Sequence, residues 1–441
     1  MDSVKFVGFL SNYQRVSEDP FEENETRTVM TIDGYHYSSL SEYTSDRLEL
    51  FRIEIFNPND LRFRYQLCAV GYRCPICEKS PLSLEMIPCS KSEADAGVYS
   101  YFKNVEEEYK YYQLRAVNLA EVSESELILD YFDNIRSLIS TSLKNTWYQY
   151  KTKPTKYIKS KFINFHVEPV GQGSMSTMSD SEGVAKVLLD VGHGTPIDKV
   201  AVTRKAFKFN GELSKVETIF LSHWDEDHYQ LAHHQDFCYL KDKYWFVPFS
   251  KTAIVSDDRL EAINYESRLL VWETLFDISR NYKFYIIEHG TNGKIPIGAN
   301  KDLLYECGNA RHDSNDRGVV LTFEHSLKNN SNRVLVPGDA DYLHFPNVLS
   351  SVYTDVVATH HGSKNLKSTE IPPAAYYGAK FVLSFGFNDQ YKHPSLKTIK
   401  KAIKSGFGVY PTSLMNWRSY KLGKIDKLRV FNANARRVKV I

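Results

Sequence analysis

The six residues HWDEDH, at positions 223–228, place two imidazoles and three carboxylates next to one another. They closely follow the stretch 216–221, whose apolar side chains predict a short buried strand. Loops at the carboxyl ends of strands are where α/β folds usually build their sites. Neutral imidazole nitrogen and carboxylate oxygen are natural ligands of Zn²⁺, Mn²⁺ or Fe²⁺. The segment therefore predicts a metal site, and a solvated polar loop is the alternative interpretation.

This segment resembles the metal-binding signature of the metallo-β-lactamase fold, His-x-His-x-Asp-His, with Asp225 in place of the second histidine. The Asp-substituted form is similar to the soluble metallohydrolase domain of ComEC-type DNA-uptake proteins and its free-standing relatives. Two earlier glycine turns, at 171–173 and 190–192, resemble the Val-Gly-Gln-Gly and Asp-x-Gly turns that open that domain. The resemblance covers residues 162–395.

The resemblance implies an α/β fold for residues 161–441, a metallo-β-lactamase-type αββα sandwich that carries the hydrolase site. Residues 1–160 lie outside it. Strand-like runs at 5–10, 48–56 and 61–70, followed by a helical pattern over 123–150, predict a smaller N-terminal α+β domain. The basic stretch 151–161 contains Pro154 and predicts a linker.

The resemblance also implies which side chains hold two metal ions. One ion would be bound by His223, Asp225 and Asp339, and the other by Asp227, His228, Asp339 and His360. Adjacent His361 is the alternative ligand, a neighbour or a proton donor. Asp341 is the alternative to Asp339, since both follow the predicted strand 333–337.

Four further residues take supporting roles in the resemblance. Asp227 would orient the attacking hydroxide, and Asp190 would orient a ligand histidine. His393, in a Tyr-x-His-Pro segment, would contact phosphate or act as a general acid, with a capping or packing histidine as the alternative. His312 is a possible substitute for the third histidine that the fold usually supplies in that part of the chain.

The chemistry implied is hydrolysis by a metal-activated water. Two ions about 4 Å apart lower the pKa of a bridging water and stabilise the attacking and leaving oxygens. We expect Zn²⁺ or Mn²⁺, because Asp225 adds negative charge that favours a harder cation. The predicted activity is that of a phosphodiesterase or nuclease acting on DNA or RNA. The alternatives are a hydrolase of a small phosphodiester, such as a cyclic nucleotide or a phosphocholine ester, and a non-catalytic metal-binding regulatory protein.

The charge of the chain is balanced overall but uneven along its length. The net charge of the 441 residues is +1. Residues 1–160 carry 19 basic and 24 acidic side chains, and residues 161–441 carry 36 basic and 30 acidic side chains. A mildly basic second half is compatible with a phosphate-bearing substrate, although it falls short of the basic stripe of a dedicated duplex binder. No apolar run approaches the ~20 residues of a membrane helix, and the amino-terminal segment lacks a signal-peptide layout, so we expect a cytoplasmic protein without a membrane partner.

The N-terminal region says little about chemistry. Thirteen of the fourteen histidines follow residue 160, which argues that residues 1–160 are not catalytic and have another role, such as recruiting a protein partner. Four cysteines lie close together, at Cys68, Cys74, Cys77 and Cys89. The Cys74–Cys77 pair has the spacing of a zinc knuckle, and free buried thiols are the alternative.

Overall fold

The computed structural model describes residues 3–17, 26–42, 48–56, 81–100, 110–152, 164–168, 170, 173–192, 212–233, 235–250, 254, 269–280, 283–298, 300–308, 315–326, 331–363, 370–385, 394–412 and 438–439. The strands are β1 (Val4–Ser17), β2 (Thr26–His36), β3 (Phe51–Phe56), β4 (Leu82–Pro88), β5 (Ala96–Ser100), β6 (Lys110–Leu119), β7 (Asn164–Val167), β8 (Ser176–Ser179), β9 (Ala185–Leu189), β10 (Thr218–Phe220), β11 (Tyr244–Pro248), β12 (Phe284–Ile287), β13 (Asn292–Gly298), β14 (Lys301–Cys307), β15 (Val319–Ser326), β16 (Ser331–Val336), β17 (Asp355–Val357), β18 (Ala379–Leu383), β19 (Phe407–Pro411) and β20 (Val438–Lys439). The α-helices are α1 (Tyr37–Ser41), α2 (Val122–Thr152), α3 (Glu226–Tyr229), α4 (Leu269–Ser279), α5 (Pro346–Leu349) and α6 (Leu396–Lys404).

The chain divides into two compact units, each of which is formed by three separate segments of the sequence. The first contains Met1–Lys144, His233–Asp236 and Lys251–Arg280, and the second contains Asn145–Ala232, Phe237–Ser250 and Asn281–Ile441. The first unit therefore includes two segments from beyond residue 160, the boundary predicted from the sequence.

The first unit contains a closed antiparallel barrel with strand order β1-β2-β3-β5-β6-β4. Its long first strand pairs with both β2 and β4, which closes the sheet and leaves no free edge. Gly8 and Gly34 lie opposite each other, and a Cβ atom on either would meet the backbone of the other strand. The predicted strands at 5–10 and 48–56 overlap β1 and β3, whereas 61–70 lies outside the described residues.

Two helices complete the described part of the first unit. The predicted helix over 123–150 is confirmed as α2. Helix α4, Leu269–Ser279, groups with the barrel rather than with the sheets of the second unit. Buried Glu273 of α4 accepts hydrogen bonds from the hydroxyls of Tyr35 and Tyr131, at 2.6 and 3.0 Å. These bonds fix α4 to a barrel strand and to α2.

The second unit contains two mixed sheets. The first has the order β12-β11-β10-β9-β8-β7-β20, and the second has the order β13-β14-β15-β16-β17-β18-β19. Strands β9 to β12 are parallel, as are β16 to β19. These parallel strands are nearly all apolar, as expected of strands that are covered on both faces.

One buried apolar cluster contains side chains of both sheets, including Phe220 and Val187 of the first and Val334 and Val382 of the second. The two sheets therefore pack face to face around a common core. A second cluster covers the other face of the second sheet and includes Ile399 of α6. The predicted α/β class is confirmed for this unit.

In the described part of the chain, no helix is both long and apolar enough to cross a membrane.

Candidate metal centre

Segment 223–228 begins just beyond the carboxyl end of β10 and continues into the short helix α3. Trp224 holds it in place, because its indole Nε1 donates to the carbonyl oxygen of Pro248 at 2.7 Å and its ring packs against Tyr229 and Phe249. Trp224 is 3% exposed. The tryptophan is therefore an anchor of the loop, a role that the sequence analysis did not assign.

His228 is oriented by Asp190, as the sequence predicted for that carboxylate. The Nδ1 atom of His228 lies 2.8 Å from Asp190 Oδ2, while Asp190 Oδ1 accepts from the backbone N–H of Ser222 at 2.7 Å. Asp190 has φ +60°, in the left-handed region that aspartate tolerates better than most residues. With Nδ1 engaged, His228 presents Nε2 to Asp339, whose Oδ1 is 3.1 Å away.

His223 lies beside His228, with the two ring centroids 4.1 Å apart. Its Nδ1 is 3.1 Å from the hydroxyl of Ser222, which fixes the ring. Its Nε2 lies 3.4 Å from Asp225 Oδ2 and 4.0 Å from Asp339 Oδ2. Asp225 has a side chain that is 29% exposed, so it lies at the rim of the cluster.

Asp339 follows a tight turn at the end of β16. Gly338 has φ +57°, and a Cβ atom there would lie 2.5 Å from the Cβ and Oγ atoms of Ser222. Only glycine therefore lets the end of β16 approach the end of β10 this closely. The turn places the buried Asp339 carboxylate 4.0 Å from Nε2 of His223 and 3.1 Å from Nε2 of His228.

His360 and His361 follow β17 and both lie in the left-handed region, with φ of 48° and 52°. The Nδ1 atom of His361 donates to the carbonyl oxygen of Ser384 at 2.8 Å. Its Nε2 is then 3.2 Å from Asp227 Oδ2 and 3.9 Å from Asp339 Oδ1. His360 has a side chain that is 31% exposed, and its Nε2 lies 3.6 Å from Asp339 Oδ2.

The potential ligand atoms form two overlapping groups among the described residues. His223, His228 and Asp339 form one, and Asp227, His228 and His361 form the other, with the atoms of each group within 4.8 Å of one another. His228 is common to both. The structure thus brings the predicted residues together but groups them differently from the predicted ligand sets, with His361 rather than His360 beside Asp227.

The charges in the cluster compensate one another. Burial by itself would raise the pKa of Asp339, but the neighbouring histidines hold it well below its ordinary value. Burial would lower the pKa of His228, yet Asp339, Asp190 and Asp227 raise it well above the ordinary value. The pKa of His361 is raised by Asp339 and Asp227 in the same way, against the effect of burial. The carboxylates therefore favour positive charge at the centre of the cluster.

Two atoms show that the cluster fits a metal ion. His223 Nε2 and His228 Nε2 are buried and have no hydrogen-bond partner within the described part of the chain. The His228 atom is close to Asp339 but not aligned for a hydrogen bond. Buried polar atoms without a partner are rare in native proteins, and a cation would satisfy both lone pairs.

Several predicted residues lie elsewhere or are not described. Asp341 accepts from the backbone N–H of Leu343 at 3.1 Å and belongs to neither group of ligand atoms. His312 and His393 lie outside the described residues, as do Cys68, Cys74 and Cys77. Cys89 is half-buried.

Among the known proteins that were compared with this chain, similarity was found only to solved structures. The chain matches no protein-family profile and no curated protein. It is similar to the metallo-β-lactamase-fold protein YhfI from Bacillus subtilis, with 10% identity over 63% of this chain and 100% of that one and a TM-score of 0.31. Human tRNase Z, short form, gives 10% identity over 44% and 77% of the two chains and a TM-score of 0.27. Zn²⁺-bound PqqB from Methylobacterium extorquens gives 12% identity over 44% of this chain and 72% of that one, with a TM-score of 0.26. Because these identities and TM-scores are low, the chemistry of the site is argued from its own side chains.

Proposed function

We propose that this chain is a metal-dependent hydrolase of phosphodiesters, a nuclease, built on a metallo-β-lactamase-type αββα sandwich. The observation that carries the proposal is the convergence of His223 Nε2 and His228 Nε2, both buried and without hydrogen-bond partners, on the Asp339 carboxylate. A second set of donors, Asp227 and His361, adjoins them.

The donor set suits Zn²⁺ or Mn²⁺. His223, His228 and Asp339 would hold one ion. Asp227 and His361 offer ligands to an adjacent ion or, together with His228, to one ion at an alternative position, because Nε2 of His228 can bind only one ion. A bound divalent ion would supply Lewis acidity and lower the pKa of water toward neutrality. Asp225 and His360 lie at the rim, within 4 Å of this cluster, and would adjust its charge.

Asp227 is the side chain best placed to orient a water molecule. Its side chain is 18% exposed, whereas that of Asp339 is 5% exposed, so Asp227 is reached more easily from solvent. Burial would raise its pKa, but the charge of His228 and a hydrogen bond from His361 hold the pKa below its ordinary value. It is therefore an ionised hydrogen-bond acceptor at neutral pH. His393 keeps its proposed role as a contact to phosphate or a general acid.

A phosphodiester is the substrate class that fits best. The cluster contains an extra carboxylate, Asp225, at the position where a histidine stands in the lactamase signature, and this favours an oxygen-preferring cation. The excess of basic over acidic residues after position 160 favours an anionic substrate. Residues 1–160 would have a separate role, such as recruiting a protein partner or gating the site.

The test is hydrolysis of bis-p-nitrophenyl phosphate, a cyclic nucleotide, single-stranded DNA and RNA by protein treated with EDTA and reconstituted with Zn²⁺ or Mn²⁺. The variants are Asp339→Asn and, as a matched control, Asp341→Asn. Both aspartates are buried and lie two positions apart, but only Asp339 belongs to the candidate metal centre.

Metal-dependent cleavage of nucleic acid that Asp339→Asn reduces by at least ~100-fold, and Asp341→Asn leaves within a few-fold, is the expected result. Cleavage of the small esters alone would instead identify a hydrolase of small phosphodiesters. Metal binding without hydrolysis of any substrate would identify a regulatory metal-binding protein and overturn the proposal.

A further inference from the structure

Helix α6 carries a row of lysines on one face. Lys397, Lys400, Lys401 and Lys404 are spaced i, i+3, i+4 and i+7, which places them together on a helix with 3.6 residues per turn. Lys401 is half-buried and the other three are exposed. The nine residues of the helix include no acidic side chain. A row of like charges destabilises a helix, and the charge of Asp341 offsets part of this repulsion at Lys401. An anionic partner along the exposed lysines would offset more of it.

The opposite face of α6 is already occupied. Ile399 and Ala402 are buried in the apolar cluster that also contains Phe381 and Phe407 of the second sheet. Ile403 is exposed at 37% beside the lysines, but one apolar side chain does not make the apolar face with which a helix enters a lipid surface. This favours a polyanion in solution over a membrane.

The lysine row begins beside the candidate metal centre. The backbone N–H of Ser395, the residue before the helix, donates to the carbonyl oxygen of Gly362 at 2.8 Å. The hydroxyl of Thr398 donates to the carbonyl oxygen of Ser363 at 2.7 Å. These bonds tie the first turn of α6 to the turn that carries His361.

The length of the row suits a nucleic-acid strand. At 1.5 Å per residue, the seven steps from Lys397 to Lys404 extend about 10 Å from the first turn. A row of this length offers several separate cationic contacts to the phosphates of one strand. Burial lowers the pKa of Lys401, and the neighbouring positive charge of Lys397 lowers it further, as expected where like charges are crowded together.

We propose that the lysine row of α6 is the docking surface for the phosphodiester backbone of a nucleic acid, which runs from the metal centre along the helix. The inference rests on the proposed hydrolase function and specifies a polymeric substrate. Phosphate contacts of this kind supply affinity without sequence preference.

The experiment measures binding apart from cleavage. Fluorescence anisotropy with labelled single-stranded DNA and RNA, in EDTA and between about 50 and 200 mM salt, gives the dissociation constant and its salt dependence. The test variant is K397Q/K400Q/K401Q/K404Q. The matched control, K215Q/K241Q/K243Q/K283Q, removes the same charge near the amino ends of parallel strands β10, β11 and β12, at the edge opposite the candidate metal centre.

The α6 variant should bind at least ~10-fold more weakly, and the magnitude of its salt slope should fall by about 2 to 3, because each phosphate contact contributes about 0.7 on a single strand. The control should bind as the wild type does, and both variants should hydrolyse bis-p-nitrophenyl phosphate at the wild-type rate. Comparison of the dissociation constants for DNA and RNA shows which nucleic acid the row prefers. An unchanged affinity and salt slope in the α6 variant would overturn the inference. Binding to phosphatidylserine vesicles and to an acidic peptide is measured in parallel, and a variant that loses only one of these, while it still binds nucleic acid, would also overturn the inference. A wild type that binds through the row but hydrolyses no ester would overturn the proposed function while leaving the docking surface supported.

Discussion

His360 and His361 are neighbours in sequence but differ in their surroundings. Because both residues lie in the left-handed region, the turn directs the imidazole of His361 into the cluster and leaves His360 at the rim. The hydrogen bond from His361 Nδ1 to Ser384 fixes its tautomer, so that Nε2 faces Asp227. Contacts of this kind orient metal-binding histidines in general.

We expect His361→Ala to weaken metal binding at the position formed with Asp227 by at least ~100-fold, because it removes a buried nitrogen donor. His360→Ala should weaken it only a few-fold, because that side chain is 31% exposed and belongs to neither group of ligand atoms. Isothermal titration calorimetry with Zn²⁺ compares the two variants directly. A larger effect for His360 would show that His360 is the ligand, as the resemblance implied, and an equal effect would show that both histidines contribute.

At the residue scale, the sequence identified side chains that lie together in the candidate metal centre, but it did not give the two groups in which the structure arranges them. His223, His228 and Asp339 converge because His223 and Asp339 lie just beyond the ends of β10 and β16, and the short helix α3 after β10 brings His228 back to them. The choice between two adjacent histidines depends on backbone dihedral angles, which residue types do not encode. The anchoring roles of Trp224 and Ser222 were missed, since each is defined by a partner far away in the chain.

At the scale of elements, the close approach of β16 to β10 depends on Gly338. Gly338→Ala should cost about 1 to 2 kcal/mol for the left-handed backbone, plus the clash with Ser222, and should also displace Asp339. Gly183→Ala is the matched control, because Gly183 has φ +79° but open space around its Cβ position.

Urea unfolding should therefore give a larger loss for Gly338→Ala than for Gly183→Ala, and only Gly338→Ala should also lose metal affinity. Equal losses of unfolding free energy, with metal binding intact in both variants, would mean that the contact between the two strand ends is not tight.

Asp355, at the start of β17, is a buried carboxylate that costs stability. Burial raises its pKa from 3.8 to about 6, only partly offset by Lys380, whose Nζ is 3.9 Å away. The unfolded state therefore ionises first, so the penalty is absent below about pH 4, grows as the pH rises and is complete above about pH 6.

Asp355→Asn should consequently raise the free energy of unfolding at neutral pH, by no more than about 3 kcal/mol at 1.36 kcal/mol per pKa unit. Thermal unfolding of both proteins across this pH range measures the difference. A difference that stays constant between about pH 4 and pH 7, or a variant that is less stable at neutral pH, would contradict the assignment.

Local patterns predicted the second unit better than the first. The parallel strands β10, β17 and β18 are short apolar runs that end in polar residues, which a sequence pattern detects. The barrel is closed by pairing between β1 and β4, more than 60 residues apart along the chain, and no local signal specifies that closure.

At the scale of the whole molecule, helix α4 limits where the chain can be divided. The segment Lys251–Arg280 belongs to the first unit although it lies between β11 and β12 of the second. Removing residues 1–160 would take away Tyr35 and Tyr131, the partners of buried Glu273, and would expose the apolar side chains of α4.

We therefore expect residues 161–441 alone to aggregate or unfold at a lower temperature than the full chain. Replacing 251–280 by a polar linker of about twelve residues, enough for a parallel crossover, should restore a soluble fragment. Size-exclusion chromatography and thermal unfolding compare the three proteins. A stable, monomeric 161–441 fragment without the replacement would show that α4 does not depend on the first unit.

The measurement that tests the central claim most directly is anomalous diffraction from crystals of the full chain grown with Zn²⁺ or Mn²⁺. The account predicts a peak bound by His228 Nε2 and Asp339, together with His223, with a second position, if filled, at Asp227 and His361. Metal that binds elsewhere, for example at Cys74 and Cys77, while this cluster stays free of it in an active protein, would contradict the account.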